Sequence, residues 1–209
     1  MPEVLVPPAR WPRWLQNFAA SHGGTVVAVT DGGVRGAASD GSTFTARLPF
    51  SRRYDGQPDE LAEHAVPPAA WGVLLVRKGG FAVARVEAGA VVASKVGQRH
   101  VQGRTKAGGQ SQQRFARRRA NQARMAYEAA ADHAVAVLAG VTEVVTGGDR
   151  GAVDEVLADP RLRSVAVVGP WLAVPDPKRV VLEQALRDAQ ALVVSVHNAG
   201  DGARVRARG

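Results

Sequence analysis

Cysteine is absent from this 209-residue chain. That excludes disulfides, thiolate zinc sites and a cysteine nucleophile, and it fits a reducing compartment. The five histidines, His22, His64, His100, His133 and His197, lie scattered with no HxxxH or HExxH spacing, so no metal site and no cofactor are expected. No apolar run approaches the roughly 18 residues of a membrane span. The start, Met1-Pro2-Glu3-Val4, has neither the basic nor the apolar part of a signal peptide. No internal repeat is visible, and nothing resembles a dimer seam. A soluble, cytoplasmic, monomeric protein without a membrane partner is the expectation.

The most informative absence is local. Between Ala88 and Tyr127 there is no Asp or Glu, while nine Lys or Arg fall in that window. Without those nine, the rest of the chain carries 18 bases against 19 acids, so the formal charge of +8 resides in this one stretch. Evenly spread charge would serve solubility. One basic segment in an otherwise neutral chain points to nucleic acid.

Trp11, Trp14 and Phe18 recur at helical spacing over residues 8–22, with Gly23-Gly24 as a stop, and read as a helix docked on a core. Val26 to Val29 and Thr43 to Leu48 read as short strands about a turn at Asp31-Gly32-Gly33. Pro49, Pro58, Pro67 and Pro68 surround an acidic patch in residues 49–70, a connecting region with one short helix and the expected domain boundary. Val73–Val76, Phe81–Val86 and Ala90–Ala93, split by Gly79-Gly80 and Ala88-Gly89, read as a three-stranded antiparallel meander.

Residues 95–109 read as a strand end running into an exposed loop. Ser111 to Leu138 contain no Gly or Pro and predict one long helix. An alternation follows: a strand at Glu143–Thr146, a helix near 149–158, a strand at Val165–Val168, a helix at 177–189 and a strand at Leu192–Val196. It implies partly parallel pairing with helices packed on the sheet. The expected division is a small α+β region over 1–70, an α/β domain over 71–199 and a basic tail over 200–209. Gly147-Gly148-Asp149 lacks the companions of a phosphate loop, and Asp149 reads as a helix N-cap.

At 100° per residue, Arg114, Arg117, Arg118 and Arg124 share an arc of about 120° on the long helix. Ala116, Ala120, Ala123, Tyr127, Ala130, Ala134 and Leu138 lie roughly opposite. One face is therefore for packing, the other for water or phosphate. No acid is expected to pair with the arginines at i,i+4, and the stripe opens at a helix N-terminus, where free N–H groups favour anions.

Gly-Gly-Gln alone is weak, since this composition yields it in roughly one shuffled chain in eight, so its flanks decide. Gly108-Gly109-Gln110-Ser111, followed by Arg114-Phe115-Ala116-Arg117 and Arg119, resembles the catalytic loop and following helix of eukaryotic and archaeal class-1 peptide-chain release factors. The meander before it and the alternation after it resemble those factors' middle domain, an RNase H-like α/β fold with a mixed sheet. The lack of further domains, with Val6-Pro7-Pro8-Ala9-Arg10 and Arg13-Trp14-Leu15, makes the chain similar to the actinobacterial branch of the Vms-like release-factor family. Lys106-Ala107 stands where release factors commonly carry Gly-Arg, and Gln112 and Gln113 lie close by.

The resemblance implies hydrolysis of the ester between a nascent peptide and the terminal ribose of tRNA. Such an ester needs positioned water and oxyanion stabilisation more than a strong nucleophile. Gln110 is the implied catalytic residue, its amide orienting water and its N–H donating to the oxyanion. Gly108 and Gly109 give the loop angles and slimness that other residues deny. Lys95, Arg99, Arg104, Lys106, Arg114, Arg117, Arg118 and Arg124, with Ser111 beside the amide, are the implied RNA contacts. The implied partners are the large ribosomal subunit with its peptidyl-transferase centre, rRNA and peptidyl-tRNA, in a codon-independent rescue reaction. Cleavage within the tRNA 3′ end, and non-catalytic occupation of the tRNA site, remain the alternatives.

Overall fold

Local turn chemistry lays out much of the sheet structure. The computed structural model describes residues 3–98 and 111–200, of 98 and 111–123 the backbone only. Asp31-Gly32 has φ of 52° and 72°, and Ala88-Gly89 has 48° and 81°. Two successive positive φ values give the two-residue hairpin loop whose twist suits antiparallel strands.

The strands are β1 (Glu3–Val6), β2 (Thr25–Thr30), β3 (Gly33–Ala38), β4 (Thr43–Arg47), β5 (Ala70–Arg77), β6 (Gly80–Glu87), β7 (Ala90–Gln98), β8 (Glu143–Gly148), β9 (Ala166–Leu172) and β10 (Leu192–His197). The helices are α1 (Trp11–His22), α2 (Ser111–Val137), α3 (Arg150–Leu157) and α4 (Arg179–Asp188). Two units result, one of residues up to Pro67 together with those from Arg187, the other of Pro68–Leu186.

The first unit is an antiparallel sheet in the order β1-β10-β4-β3-β2. The aromatic stripe of α1 docks on it as its spacing predicts. Trp11 stacks on Trp14 and Trp14 on Phe18, at 5.4 and 5.5 Å between centroids, while Phe44 of β4 meets all three edge-on. Val34, Ala46, Leu192 and Val194 complete this core. Residues 58–64 form a 3₁₀ helix that contributes Leu61.

Two strands here escape the sequence reading, β1 and β3, and β10 corrects it. Expected to close the alternation of the second domain, β10 instead pairs antiparallel with β1 and β4. The physical reason lies in its pattern. Leu192 and Val194 are buried while Ser195 and His197 emerge on the other face, which suits a sheet with one wet face.

The second unit holds the order β7-β6-β5-β8-β9, with β7, β6 and β5 antiparallel and β8 and β9 parallel to β5. Trp71 to Val76 are all buried, so β5 is covered on both faces, as central strands beside parallel crossovers are. Leu74, Val76 and Val83 meet Ala130, Ala131, Ala134 and Leu138 of α2 and Ala152, Val153 and Val156 of α3. Asp149 caps α3, its carboxylate accepting from the Ala152 N–H at 3.4 Å. The preceding Gly147 answers to packing, because a Cβ there would come 2.3 Å from the Leu172 carbonyl oxygen.

Candidate functional site

The residues expected to carry the chemistry fall between two anchors, strand β7 and helix α2. Strand β7 ends at Gln98 and α2 begins at Ser111. Arg99, Arg104, Lys106, Gly108, Gly109 and Gln110 lie outside the described residues. Ser111, Arg114, Arg117 and Arg118 fall on the opening turns of α2, whose backbone alone is described there. Lys95 and Arg124 are described completely.

Helix α2 runs from Ser111 to Val137, about 40 Å at 1.5 Å per residue. Its seat is the small-residue face: Ala130, Ala131, Ala134 and the following Leu138 are all buried. Phe81 of β6 lies under His133, ring on ring at 5.4 Å, and packs across Gly97 of β7, its register partner. A Cβ on Gly97 would fall 2.3 Å from the Phe81 ring. Gly97, at the last pairing but one before the loop, thus lets one aromatic ring hold β7 and α2 together.

Arg161 adds a second fastening. Its Nη2 donates to Asp132 of α2 at 2.6 Å and to Asp159 at 2.7 Å. The two Arg161 hydrogen bonds, from side chain and backbone, hold the Asp159 carboxyl down at about 2.

Beside these anchors is a groove of about 290 Å³ whose walls include Val76, Phe81, Gly97, Met125, Tyr127 and Ala130. Burial first, and then the charges of Asp149 and Glu155, raise the Tyr127 pKa, so its hydroxyl stays protonated. Arg150, at the start of α3, lies 4.2 Å over the Trp171 ring, a cation–π contact. None of these residues figured in the sequence reading as part of a site. Their signals, a glycine opposite a phenylalanine and an arginine beside a capped helix start, exist only once strands are paired.

The two described members of the basic set differ in setting. Lys95 is exposed on β7, an edge strand, opposite Val83. A lysine there also discourages strand-to-strand aggregation. Next to it, Ser94 accepts a hydrogen bond from Arg179 Nη1 at 2.9 Å. Arg124 corrects an expectation: Glu128, one turn on, lies 3.6 Å from its Nε. The arginine face therefore does have one i,i+4 acid, just past the acid-free window. Both side chains are mostly exposed, 72% and 65%, so the pair contributes only a few tenths of a kcal/mol and leaves Arg124 open to a stronger anion.

Among the described residues no helix is long and apolar enough to cross a membrane, and no three His, Asp or Glu side chains converge as metal ligands. No curated protein matches the chain. One solved structure, described as an archaeal protein, is 14% identical with a TM-score of 0.36, over 74% of this chain and 51% of its own. The chain thus spans about half the length of that protein. The model of the family described as Actinobacteria/chloroflexi VLRF1 release factor matches residues 69–195, a stretch that holds β5 to β9, Gly108-Gly109-Gln110, α2 to α4 and most of β10. By that match, over more than half of its length, the chain belongs to the VLRF1 release-factor family of Actinobacteria and Chloroflexi.

Proposed function

We propose that the chain hydrolyses the ester of peptidyl-tRNA on stalled ribosomes or large subunits, with Gln110 at the catalytic tip and Gly108-Gly109 giving that tip its reach. One observation carries the reading. In the sequence Gly108-Gly109-Gln110 directly precedes the 27-residue helix α2, in a release-factor family member whose net positive charge lies around that junction. The strand order of the second sheet, three antiparallel strands followed by two parallel to the first of them, supports reading the unit as an RNase H-like middle domain.

In this mechanism Gln110 is not a base. Its amide holds a water against the ester carbonyl, and its backbone N–H donates to the oxygen on which charge develops. Lys95, Arg99, Arg104, Lys106, Arg114, Arg117, Arg118 and Arg124, with Ser111, neutralise phosphates of rRNA and tRNA, and binding weakens with salt. The ribosomal peptidyl-transferase centre supplies the rest of the site, so a single uncharged side chain suffices.

The test is peptide release from a purified stalled large-subunit complex. Gln110→Ala keeps the backbone N–H but removes the amide that positions water, so release should fall by at least about a hundredfold, the scale of a misplaced reactant, while ribosome binding persists and the freed tRNA keeps its full 3′ end. Release undiminished in Gln110→Ala, or tRNA shortened at its 3′ end, overturns the reading.

A further inference from the structure

The first unit bears a surface that ester hydrolysis does not use. Its sheet is packed on one face only, and register defines what the open face carries. Arg35 lies opposite Thr45, and Thr45 opposite Ser195. Thr43 lies between Ala37 and His197. Arg47, two residues on from Thr45, pairs with Val193, and its Cγ lies 3.2 Å from where a Gly33 Cβ would stand. Arg35, Arg47 and His197 are exposed, and Thr43, Thr45 and Ser195 half-exposed.

The charge on this face is one-sided. Neither Arg35 nor Arg47 makes an ion pair among the described residues. The strands present a single acid here, Glu3 on the edge strand β1. Asp55, Asp59, Glu60 and Glu63 lie around Tyr54 instead, which packs in the core under the covered face; burial first, and then their charges, raise its pKa. Arg35 and Arg47 are diagonal neighbours about 7–8 Å apart. Like charges so placed, with no acid between them, do not stabilise a sheet. They suit a ligand that brings the negative charge.

We propose that the open face of the β1-β10-β4-β3-β2 sheet binds the phosphate backbone of folded RNA, as a second contact apart from the α2 arginines. The guanidiniums supply charge-assisted donors, and Thr43, Thr45 and Ser195 supply hydroxyls that serve phosphate oxygens or ribose 2′-OH groups. Among the described residues no Phe, Tyr or Trp stands on this face, so the contact is chiefly to backbone and independent of sequence. Two arginines are too few for a lipid surface, which takes clusters of about 4–8 basic residues. The choice of RNA rests on the ribosomal reading above. Arg35, Thr43, Thr45 and Arg47 lie on strands before the residues that the family model matches, whereas Ser195 of β10 is the last residue of that match.

The 209-residue chain and a labelled RNA duplex of about 20 base pairs, somewhat longer than the ~16 spanned by a double-stranded-RNA domain, test this. Arg35→Glu/Arg47→Glu should weaken binding about tenfold and reduce the slope of log K against log salt by about two. The loss should add, in log K, to that of Arg117→Glu/Arg118→Glu, with an unchanged circular dichroism spectrum. Arg35→Gln/Arg47→Gln, which adds no repulsion, should show the same direction if the glutamates disturb folding. Unchanged affinity and slope in both double variants overturn the proposal. So does competition by an acidic polypeptide as effective as that by unlabelled RNA. Gln110→Ala should leave this affinity untouched, so a failure of the hydrolysis reading and a failure of this one show in different measurements.

Discussion

The two sheets each have five strands, yet they bury opposite kinds of sequence. Strand β2 alternates half-buried and exposed residues along its whole length, and Val26 is left 75% exposed. Strand β5 buries six residues in a row, Trp71 to Val76. An alternating strand needs one partner layer and offers its other face to water or ligand. A strand buried throughout needs layers on both sides and offers nothing. The second unit therefore covers its central strand on both sides, while the first leaves one face of its sheet open.

A lysine scan of the two strands breaks or sustains this contrast most sharply. Val73→Lys puts an unpaired charge into a fully buried position, costs several kcal/mol and should prevent the second unit from folding, as seen in thermal melts and release activity. Val26→Lys should stay within about 0.5 kcal/mol of wild type. Similar melting temperatures for the two would refute the distinction.

A smaller effect separates the roles of the units. Each sheet sets a glycine opposite a phenylalanine, Gly36 with Phe44 and Gly97 with Phe81. A Cβ on Gly36 would come 2.0 Å from the Phe44 ring, and on Gly97 2.3 Å from the Phe81 ring. Gly36→Ala and Gly97→Ala should each destabilise by about 1–3 kcal/mol through overpacking. Only Gly97→Ala should also lower the rate of peptide release in folded protein, because Phe81 seats His133 of α2. Equal release by the two folded variants would show that this ring does not position the loop.

The smallest predicted effect concerns pH. The Asp159 carboxyl sits at about 2 under its Arg161 hydrogen bonds, below the ~3.9 of an unfolded chain. Its stabilisation is present above pH ~3.9 and is lost as pH falls toward 2. The second unit should therefore lose stability over that interval in urea titrations. Asp159→Asn should flatten that slope, and the wild-type slope in this variant would contradict the assignment. Acid titration of the first unit should not respond to the substitution.

Much of this was legible in the chain itself. The Trp11-Trp14-Phe18 stripe, the meander over β5 to β7, the long helix from Ser111 and the Asp149 cap rest on periodicity or turn chemistry within a few residues, and all of them hold in the structure. Strand β3, GVRGAA, was hidden because two glycines and a charged residue blur its alternation. Strand β1 was hidden because four residues carry too little pattern. The pair of Arg124 with Glu128 breaks the acid-free pattern at once, because Glu128 is the residue directly after Tyr127.

The sequence by itself determined the local elements, the concentration of net positive charge in the residues around Gly108-Gly109-Gln110, and the resemblance those residues carry. Tertiary structure alone decided that β10 leaves the alternation and joins β1 and β4, that Phe81 bridges Gly97 and His133, and that Arg35, Arg47, Thr43, Thr45 and Ser195 meet on one open face. The reason is physical. Helix faces and hairpins arise from forces between near neighbours, whose spacing can be read along the chain. Strand partnership joins residues more than a hundred positions apart, as Val194 and Ala46 are, and hydrogen-bonded backbones of any sequence can make it. Which partner is chosen depends on which faces remain to be buried, a property of the assembled layers.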